Sequence, residues 1–318
     1  MLVRELSDGQ DIDQALLVRE REVRAKRGGG EFLRLVLGDR TGGVAAMVWD
    51  GVADLSDICA QGCVVWVQGR YEVHARYGPQ IRVRLLRACG DGEGDLRDLL
   101  DGPPRSAVQM EADLRELVGT VQSLHLRALL DGLLGPSSPT WAQFRDAPAA
   151  KRYHQAYQHG LLEHALSVAQ AVSAISATFP GIDRDVAVTG ALLHDIGKLE
   201  AYTSDRCAID MTDRGKLQGE IPLGYYRVRR LIEELPGFPE AAAAAVLHII
   251  LSHHGALEHG SPVLPCTREA TLVHMIDNLG GRLGSFDRLE KELPQGSAWS
   301  GFDRALGGGA YFGERAAA

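Results

Sequence analysis

A histidine and an aspartate stand next to each other at the end of an apolar segment in the middle of the chain. The segment reads Ala-Leu-Leu-His-Asp-Ile-Gly-Lys over residues 191–198, with the polar pair at His194 and Asp195. Neighbouring residues on a helix point about 100° apart, so both side chains can reach one centre mainly at a helix end, where Gly197 stops the helix. Because a buried imidazole and carboxylate are costly without partners, the pair indicates a cation or a hydrogen-bond network. Alone, it is equally typical of a capped helix end with an exposed aspartate.

Three further apolar segments carry imidazole or carboxylate side chains in the same way. These side chains belong to His164, to the pair His253 and His254, and to Asp277. A single such residue is more often a hydrogen-bonded member of a core, but four segments in one domain favour a metal site. Imidazole and carboxylate ligands together suit Mn, Fe, Zn, Co or Ni ions.

Short strands are predicted for the N-terminal part of the chain, from the alternation of apolar and polar residues and from the turns between them. The strands fall at 17–27, 32–37, 44–49, 64–70 and 80–85, with a short helix near 53–59. Five strands with one helix between the third and the fourth is the order of an OB-fold barrel. Residues 14–89 also hold twelve Lys and Arg against eight Asp and Glu, although the whole chain has a net charge of -8. The barrel is therefore the part that attracts a polyanion.

Helical periodicity dominates the chain after residue 109. The longer predicted helices fall at 149–178, 183–196, 216–235, 239–254 and 267–283. We therefore predict a multidomain β plus α protein, with a five-stranded OB-type barrel followed by an all-α bundle. The predicted boundaries are 1–89 for the barrel, 90–108 for a linker, 109–146 for a helical connector, 147–293 for the main helical domain and 294–318 for a flexible tail.

Cysteine usage and the chain ends indicate a soluble cytoplasmic protein without a membrane partner. The five cysteines show no second pair at zinc-ribbon spacing, so we interpret them as reduced thiols. The N-terminus lacks the basic and apolar regions of a secretory signal. The apolar run before His248 is far shorter than the ~20 residues that a membrane span needs.

The metal-ligand candidates also carry a resemblance to a known superfamily. The series His164, His194-Asp195 and Asp277 resembles the H…HD…D signature of the HD-superfamily metal phosphohydrolases. A longer set of motifs is more discriminating: Ala-Pro-Ala-Ala-Lys at 147–151, His154, Gly-Leu-Leu-Glu-His at 160–164, Gly-Lys-Leu at 215–217, Leu-Ser-His-His-Gly at 251–255, Gly-Ser-Pro-Val at 260–263 and Thr-Arg-Glu-Ala at 267–270. Together with the barrel, this set resembles the YhaM-type 3'-5' exoribonuclease family.

That resemblance implies an HD-domain helical bundle and a metal-dependent 3'-5' exonuclease. The expected substrate is single-stranded RNA, with DNA left open, and the expected products are nucleoside 5'-monophosphates. Two divalent cations are implied as cofactors, with Mn preferred over Fe, Co, Ni or Zn.

The resemblance also implies which residues hold the cations. The first cation would be bound by His164, His194, Asp195 and Asp277, and the second by Asp195 as a bridge with His253 and His254. The family has a further histidine ligand in a Gly-Lys-Leu-x-Gly-His stretch, which here ends in Glu220. Because a carboxylate can also ligate Mn or Fe, Glu220 is predicted to replace that histidine.

Substrate contacts are predicted in both domains. Next to the catalytic pair His194 and Asp195, Lys198 would bind a phosphate oxygen, although a cation at that place also favours the helix dipole. Lys151 and His154 match family positions near the site and would contact phosphate. On the barrel, aromatic and arginine side chains suit sequence-tolerant binding of single strands. The candidates there are Arg34, Tyr71, Tyr77, Arg82 and Arg84, whereas Trp66 is predicted to lie in the barrel core.

Other function classes stay open from the sequence. Related HD domains act as nucleotidases or cyclic-dinucleotide phosphodiesterases. A regulator that binds nucleic acid without cleaving it would have the same barrel. Assembly into a homo-oligomer is also left open.

Overall fold

The computed structural model describes residues 1–26, 28–55, 57–90, 92–151, 155–205, 207–291, 293 and 296–313. Two hydrophobic cores organise these residues, one inside an N-terminal barrel and one among the helices that follow. The predicted fold class, an OB-type barrel followed by an all-α bundle, is confirmed.

Five strands form the barrel. They are β1 (Asp11–Ala25), β2 (Glu31–Asp39), β3 (Gly42–Val48), β4 (Val64–His74) and β5 (Gly78–Ala88). The sheet closes in the order β1-β2-β3-β5-β4, with β3 and β5 parallel and the other neighbours antiparallel. Helix α1 (Val52–Leu55) lies between β3 and β4 in the chain, which is the predicted OB order.

Alternation along the strands decides which side chains fill the barrel. Val65 and Val67 of β4 are fully buried, but Trp66 between them points outward. Its Nε1–H donates to Oδ1 of Asp13 at 2.6 Å, and the guanidinium of Arg87 lies 5.1 Å from its ring centroid. The prediction that Trp66 lies in the core is therefore wrong, because a strand sends successive side chains to opposite faces even within an apolar run.

Eleven helices follow in the described part of the chain. They are α2 (Leu96–Leu99), α3 (Ala107–Gly119), α4 (Leu124–Leu134), α5 (Trp141–Asp146), α6 (Gly160–Ser176), α7 (Arg184–Leu193), α8 (Lys198–Ala201), α9 (Asp213–Gln218), α10 (Glu220–Glu234), α11 (Glu240–Ser252) and α12 (Arg268–Lys291). Leu114, Leu129 and Phe144 of α3, α4 and α5 are fully buried in the same core as α6, α7, α11 and α12. The stretch predicted as a connector thus contributes to the core of the helical domain. None of the helices among the described residues has both the length and the apolarity needed to cross a bilayer.

Three helix boundaries differ from the prediction. The helix predicted for 149–178 begins only at Gly160, because Gln155 and His159 take left-handed φ angles of 59° and 67°. The helix predicted for 216–235 is divided at Gly219, whose φ is 77°. The last predicted helix continues beyond residue 283, to Lys291.

The segments predicted as linker and tail make defined contacts. In the linker, Oδ2 of Asp101 lies 3.6 Å from Nη1 of Arg19 in β1, and Oδ1 lies 3.4 Å from Nζ of Lys291 in α12. Asp101 therefore connects the two domains. In the tail, a β-bridge joins Trp299 to Tyr311. These parts of both segments are therefore folded.

Candidate metal centre

Five helices bring polar side chains to one place in the helical domain. The contributors are His164 of α6, His194 and Asp195 after α7, Glu220 of α10, His253 and His254 after α11, and Asp277 of α12. Gly197 makes the convergence possible, because a Cβ there would overlap the carbonyl oxygen of Glu220. The end of α7 can therefore lie directly against the start of α10.

His164, His194 and Asp277 form the first group of donor atoms. Nε2 of His164 lies 3.2 Å from Nε2 of His194 and 3.1 Å from Oδ1 of Asp277. Nε2 of His194 lies 3.8 Å from the same oxygen. These separations fit three donors that surround one cation at about 2.0–2.2 Å each.

Glu220, His253 and His254 form the second group. One ligand atom from each lies within 4.8 Å of the others. Nε2 of His254 is 3.3 Å from Oε1 of Glu220, so the carboxylate stands beside the imidazole with which it would share a cation. Burial raises the pKa of Glu220, but Lys198 and His254 outweigh this effect and lower it below its usual value.

Asp195 faces both groups. Its Oδ2 lies 3.2 Å from Nε2 of His164 and 3.3 Å from Nε2 of His194. Its Oδ1 lies 3.5 Å from Nε2 of His253. One carboxylate therefore directs one oxygen to each group, as a bridging ligand does.

Two buried atoms at this junction have no hydrogen-bond partner among the described residues. They are Oδ1 of Asp195 and Nε2 of His253, and their separation of 3.5 Å is at the outer limit of a hydrogen bond. Leaving such atoms unpaired in the interior is costly. Both atoms can donate a lone pair to a cation, so the donor set fits bound divalent metal.

All four histidines direct Nε2 into the centre because Nδ1 has another partner. Nδ1 of His194, His253 and His254 lies 2.7, 2.8 and 2.9 Å from the carbonyl oxygens of Ala191, Ile250 and His259. A carbonyl oxygen only accepts, so Nδ1 carries the proton and Nε2 keeps its lone pair. For His164 the acceptor is a side chain, Oε1 of Gln155 at 3.1 Å. Histidines that bind metals are oriented in this way.

The electrostatics of the centre favour positive charge. Burial lowers the pKa of His164, but hydrogen bonds to Asp195 and Asp277 outweigh it and raise the pKa to about 9. Burial likewise opposes the ionisation of Asp277, yet the contacts with His164 and His194 hold its pKa well below the usual range. A cation would replace the added proton of His164 at the same lone pair.

Lys198 adds a permanent positive charge at the edge of the centre. Its Nζ lies 2.8 Å from Oδ2 of Asp195. Burial lowers the pKa of Lys198, but Asp195 and Glu220 outweigh the burial and raise it above its ordinary value. The side chain therefore stays an ammonium group that can contact an anionic substrate.

Comparisons with known proteins point to one family. The HD domain family profile matches residues 161–281, which contain both donor groups. The 3'-5' exoribonuclease YhaM of Geobacillus sp. (strain WCH70) is 30% identical over 289 residues, which are 90% of this chain and 87% of that protein. The 3'-5' exoribonuclease YhaM of Bacillus subtilis (strain 168) is 30% identical over 288 residues, or 90% of each chain. This chain belongs to the YhaM family of 3'-5' exoribonucleases.

In this YhaM family member, the predicted contact Lys151 is not gathered into the centre. Nζ of Lys151 pairs with Oδ1 of Asp210 at 2.5 Å rather than with a member of either donor group. His154 lies outside the described residues. Both therefore stay predictions.

The barrel of this YhaM family member places most of the predicted substrate contacts on its surface. Tyr77, Arg82 and Arg84 are exposed, and Arg34 is partly exposed. Tyr71 differs, because it continues the inward row of Val65 and Val67 and packs against the barrel core. Burial also raises the pKa of Tyr71. Tyr71 is therefore less exposed than expected, and its contact with substrate stays a prediction.

Two further aromatic residues of the barrel, Phe32 and Trp49, stack on each other. The rings of Phe32 and Trp49 stack with centroids 4.7 Å apart and an interplanar angle of 23°. Trp49 is 52% exposed, and Nζ of Lys26 donates to its carbonyl oxygen. The antiparallel register of β2 and β3 pairs Leu33 with Val48. Phe32, just before Leu33, and Trp49, just after Val48, therefore lie side by side.

Proposed function

We propose that this chain is a metal-dependent exoribonuclease that hydrolyses single-stranded RNA from its 3' end and releases nucleoside 5'-monophosphates. The position of Asp195 carries the proposal, because its two oxygens face two separate groups of buried donor atoms. Relatives named 3'-5' exoribonuclease along nine-tenths of the chain support the polarity and the RNA substrate.

The donor groups would hold two divalent cations. We assign the first to His164, His194, Asp195 and Asp277, and the second to Asp195, Glu220, His253 and His254. When bound, such cations supply a nucleophile near neutral pH and neutralise the charge that develops on phosphate oxygens. We infer Mn²⁺, because three carboxylates together with imidazoles suit a harder ion than an all-histidine site would.

Lys198 would position the scissile phosphate. Its ammonium group already lies against Asp195, so a phosphate that enters the centre meets it without a large movement. His194 and Asp195 would keep their donor atoms fixed, because the residues around them are buried. Lys151 and His154 are proposed as further phosphate contacts.

The barrel would hold the RNA upstream of its 3' end. Stacking on aromatic rings and charge from arginines gives binding that tolerates any base sequence. The stacked pair Phe32 and Trp49 supplies the rings. The proposed additional contacts are Arg34, Tyr77, Arg82 and Arg84.

Other functions gain no support from a specific observation. Both donor groups are complete, which a regulator that had lost catalysis would not need. A nucleotidase or a cyclic-dinucleotide phosphodiesterase would have no need of the barrel. Single-stranded DNA as a second substrate stays a prediction, as does a cytoplasmic location.

The test is to incubate the purified protein with 5'-labelled single-stranded RNA and Mn²⁺, beside an Asp195→Asn variant. A ladder that shortens from the 3' end with the wild type alone is expected. Internal cuts, or equal cleavage by the variant, would contradict the proposal. Cyclic dinucleotides in a parallel reaction separate this activity from the rival hydrolase.

A further inference from the structure

The peptide that joins His253 to His254 follows the end of α11, and its carbonyl group has a side-chain partner on α12. Nδ1 of His274 lies 2.8 Å from the carbonyl oxygen of His253. Because a carbonyl oxygen only accepts, Nδ1 carries the proton and donates it. Carbonyl groups at the end of a helix find no partner within that helix. Here an imidazole from a different helix supplies the missing donor.

The ring of His274 also covers the residue that follows the two histidines. Gly255 takes a left-handed φ of 78°, and a Cβ at this position would overlap the His274 ring. The N–H of Gly255 donates to the carbonyl oxygen of Ser252 at 2.8 Å. The turn at 253–255 is therefore closed by its own backbone and packed directly against one imidazole.

His274 itself belongs to neither of the two groups of donor atoms found among the described residues. It lies three residues before Asp277, and residues at this spacing share one face of a helix. Helix α12 therefore acts on both groups. It gives a carboxylate oxygen to the first group and a hydrogen-bond donor to the backbone that carries two members of the second.

The positions of both imidazoles of the second group depend on this peptide. Nε2 of His253 lies 3.5 Å from Oδ1 of Asp195, and Nε2 of His254 lies 3.3 Å from Oε1 of Glu220. A rotation of the peptide plane changes ψ of His253 and φ of His254 together. Such a rotation would move the two rings relative to each other and to the carboxylates with which they would share a cation.

We propose that His274 is a positioning residue for the second cation. Its Nδ1–H fixes the peptide between His253 and His254, and through that peptide it holds the two imidazoles in place. The inference rests on the proposed two-cation centre, and it adds a residue that touches neither cation. The four residues assigned to the first cation do not include His253 or His254, so the first cation should not depend on this hydrogen bond.

The test compares Mn²⁺ binding by the metal-free full chain and by three variants, measured by calorimetric titration. His274→Leu removes the donor and keeps an apolar side chain of similar size against Gly255. His274→Asn keeps an N–H donor close to the position of Nδ1. The matched control is Ser138→Ala, because the Ser138 hydroxyl donates to the carbonyl oxygens of Gly132 and Leu133 at the end of α4, at 2.8 and 2.9 Å. That variant also removes a side-chain donor from the end of a helix, but it alters no contact of the metal centre.

His274→Leu is expected to lower the affinity for the second Mn²⁺ by about 10–100-fold, as loss of a group that orients a ligand usually does. The first Mn²⁺ should bind as in the wild type, which also shows that the variant is folded. His274→Asn should recover most of the second affinity, and Ser138→Ala should keep both affinities. Urea unfolding of the metal-free chains reports the loss of stability that either helix-end contact causes, so that a change in stability alone is recognised.

Several results would overturn the role of His274 and leave the two-cation centre intact. They are a wild type that binds two Mn²⁺ together with an unchanged second affinity in His274→Leu, an equal loss in Ser138→Ala, or a loss in His274→Asn as large as in His274→Leu. A wild type that binds fewer than two Mn²⁺ would instead contradict the two-cation centre, and the role of His274 would be excluded with it.

Discussion

Nδ1 of His164 lies 3.1 Å from Oε1 of Gln155, a residue with a left-handed φ of 59°. The other three histidines of the centre donate from Nδ1 to backbone carbonyl oxygens, which no substitution can remove. The orientation of His164 therefore depends on one replaceable side chain.

Replacing that side chain should weaken the first cation site. Without the acceptor oxygen, Nδ1 of His164 loses its partner and the ring is free to turn or to protonate at Nε2. Gln155→Leu is expected to lower Mn²⁺ affinity by about 10–100-fold, as loss of a residue that orients a ligand usually does. Gln155→Glu keeps an acceptor and should retain most of the affinity. Calorimetric titration with Mn²⁺ measures this directly, and a Gln155→Leu variant with wild-type affinity would show that the contact has no positioning role.

Glu220 should decide whether the second cation binds. Glu220→Gln removes the charge beside His254 and should reduce the bound Mn²⁺ from two per chain to one. Glu220→His restores the donor found in the family motif and should keep both. The matched control is Glu233→Gln, an exposed acid on the same helix. The number of Mn²⁺ ions bound per chain is measured as the metal content after dialysis. Two Mn²⁺ per chain in the Glu220→Gln variant would exclude Glu220 as a ligand.

Gly197 should be intolerant of any side chain. The Cβ of Gly197→Ala would overlap the carbonyl oxygen of Glu220, so α7 and α10 would have to separate. We expect a loss of about 1–3 kcal/mol in the free energy of unfolding. Gly281→Ala on α12 meets nothing within 4 Å and should be neutral or stabilising by up to about 1 kcal/mol. Urea unfolding of both variants measures the difference, and equal stabilities would mean that the helix contact is not tight.

Trp49 should contribute to the binding of single-stranded RNA. Trp49→Ala removes half of the stacked pair with Phe32 and should weaken binding by about 1–3 kcal/mol. Tyr71→Phe should change little, because Tyr71 packs against the core. Fluorescence anisotropy in an Asp195→Asn background avoids cleavage during the measurement. A larger effect from Tyr71→Phe than from Trp49→Ala would place the RNA on another face of the barrel.

The metal centre could be predicted from the sequence because its residues interrupt apolar helices. His164, His194 and Asp277 occupy core positions where a polar side chain needs a partner, and that requirement is visible without coordinates. Gln155 could not be found in this way. It lies in an irregular segment with left-handed backbone at two residues, and no periodicity indicates where such a side chain points.

The barrel shows a different cause of error. Local composition places Trp66 inside and Tyr71 outside, whereas the period of two through Val65 and Val67 places Tyr71 inside and Trp66 outside. That periodic signal is present in the sequence. The stacking of Phe32 on Trp49 has no such signal in the sequence. It depends on the register between β2 and β3, which sequence alternation alone does not fix.

The most direct test of the two-metal centre is anomalous diffraction at the manganese edge from crystals of the protein soaked in Mn²⁺. Two peaks are expected on either side of the Asp195 carboxylate, about 3.5–4 Å apart, as in other two-metal centres. One peak should contact His164, and the other should contact His254. A single peak, or two peaks that do not share Asp195, would contradict this assignment.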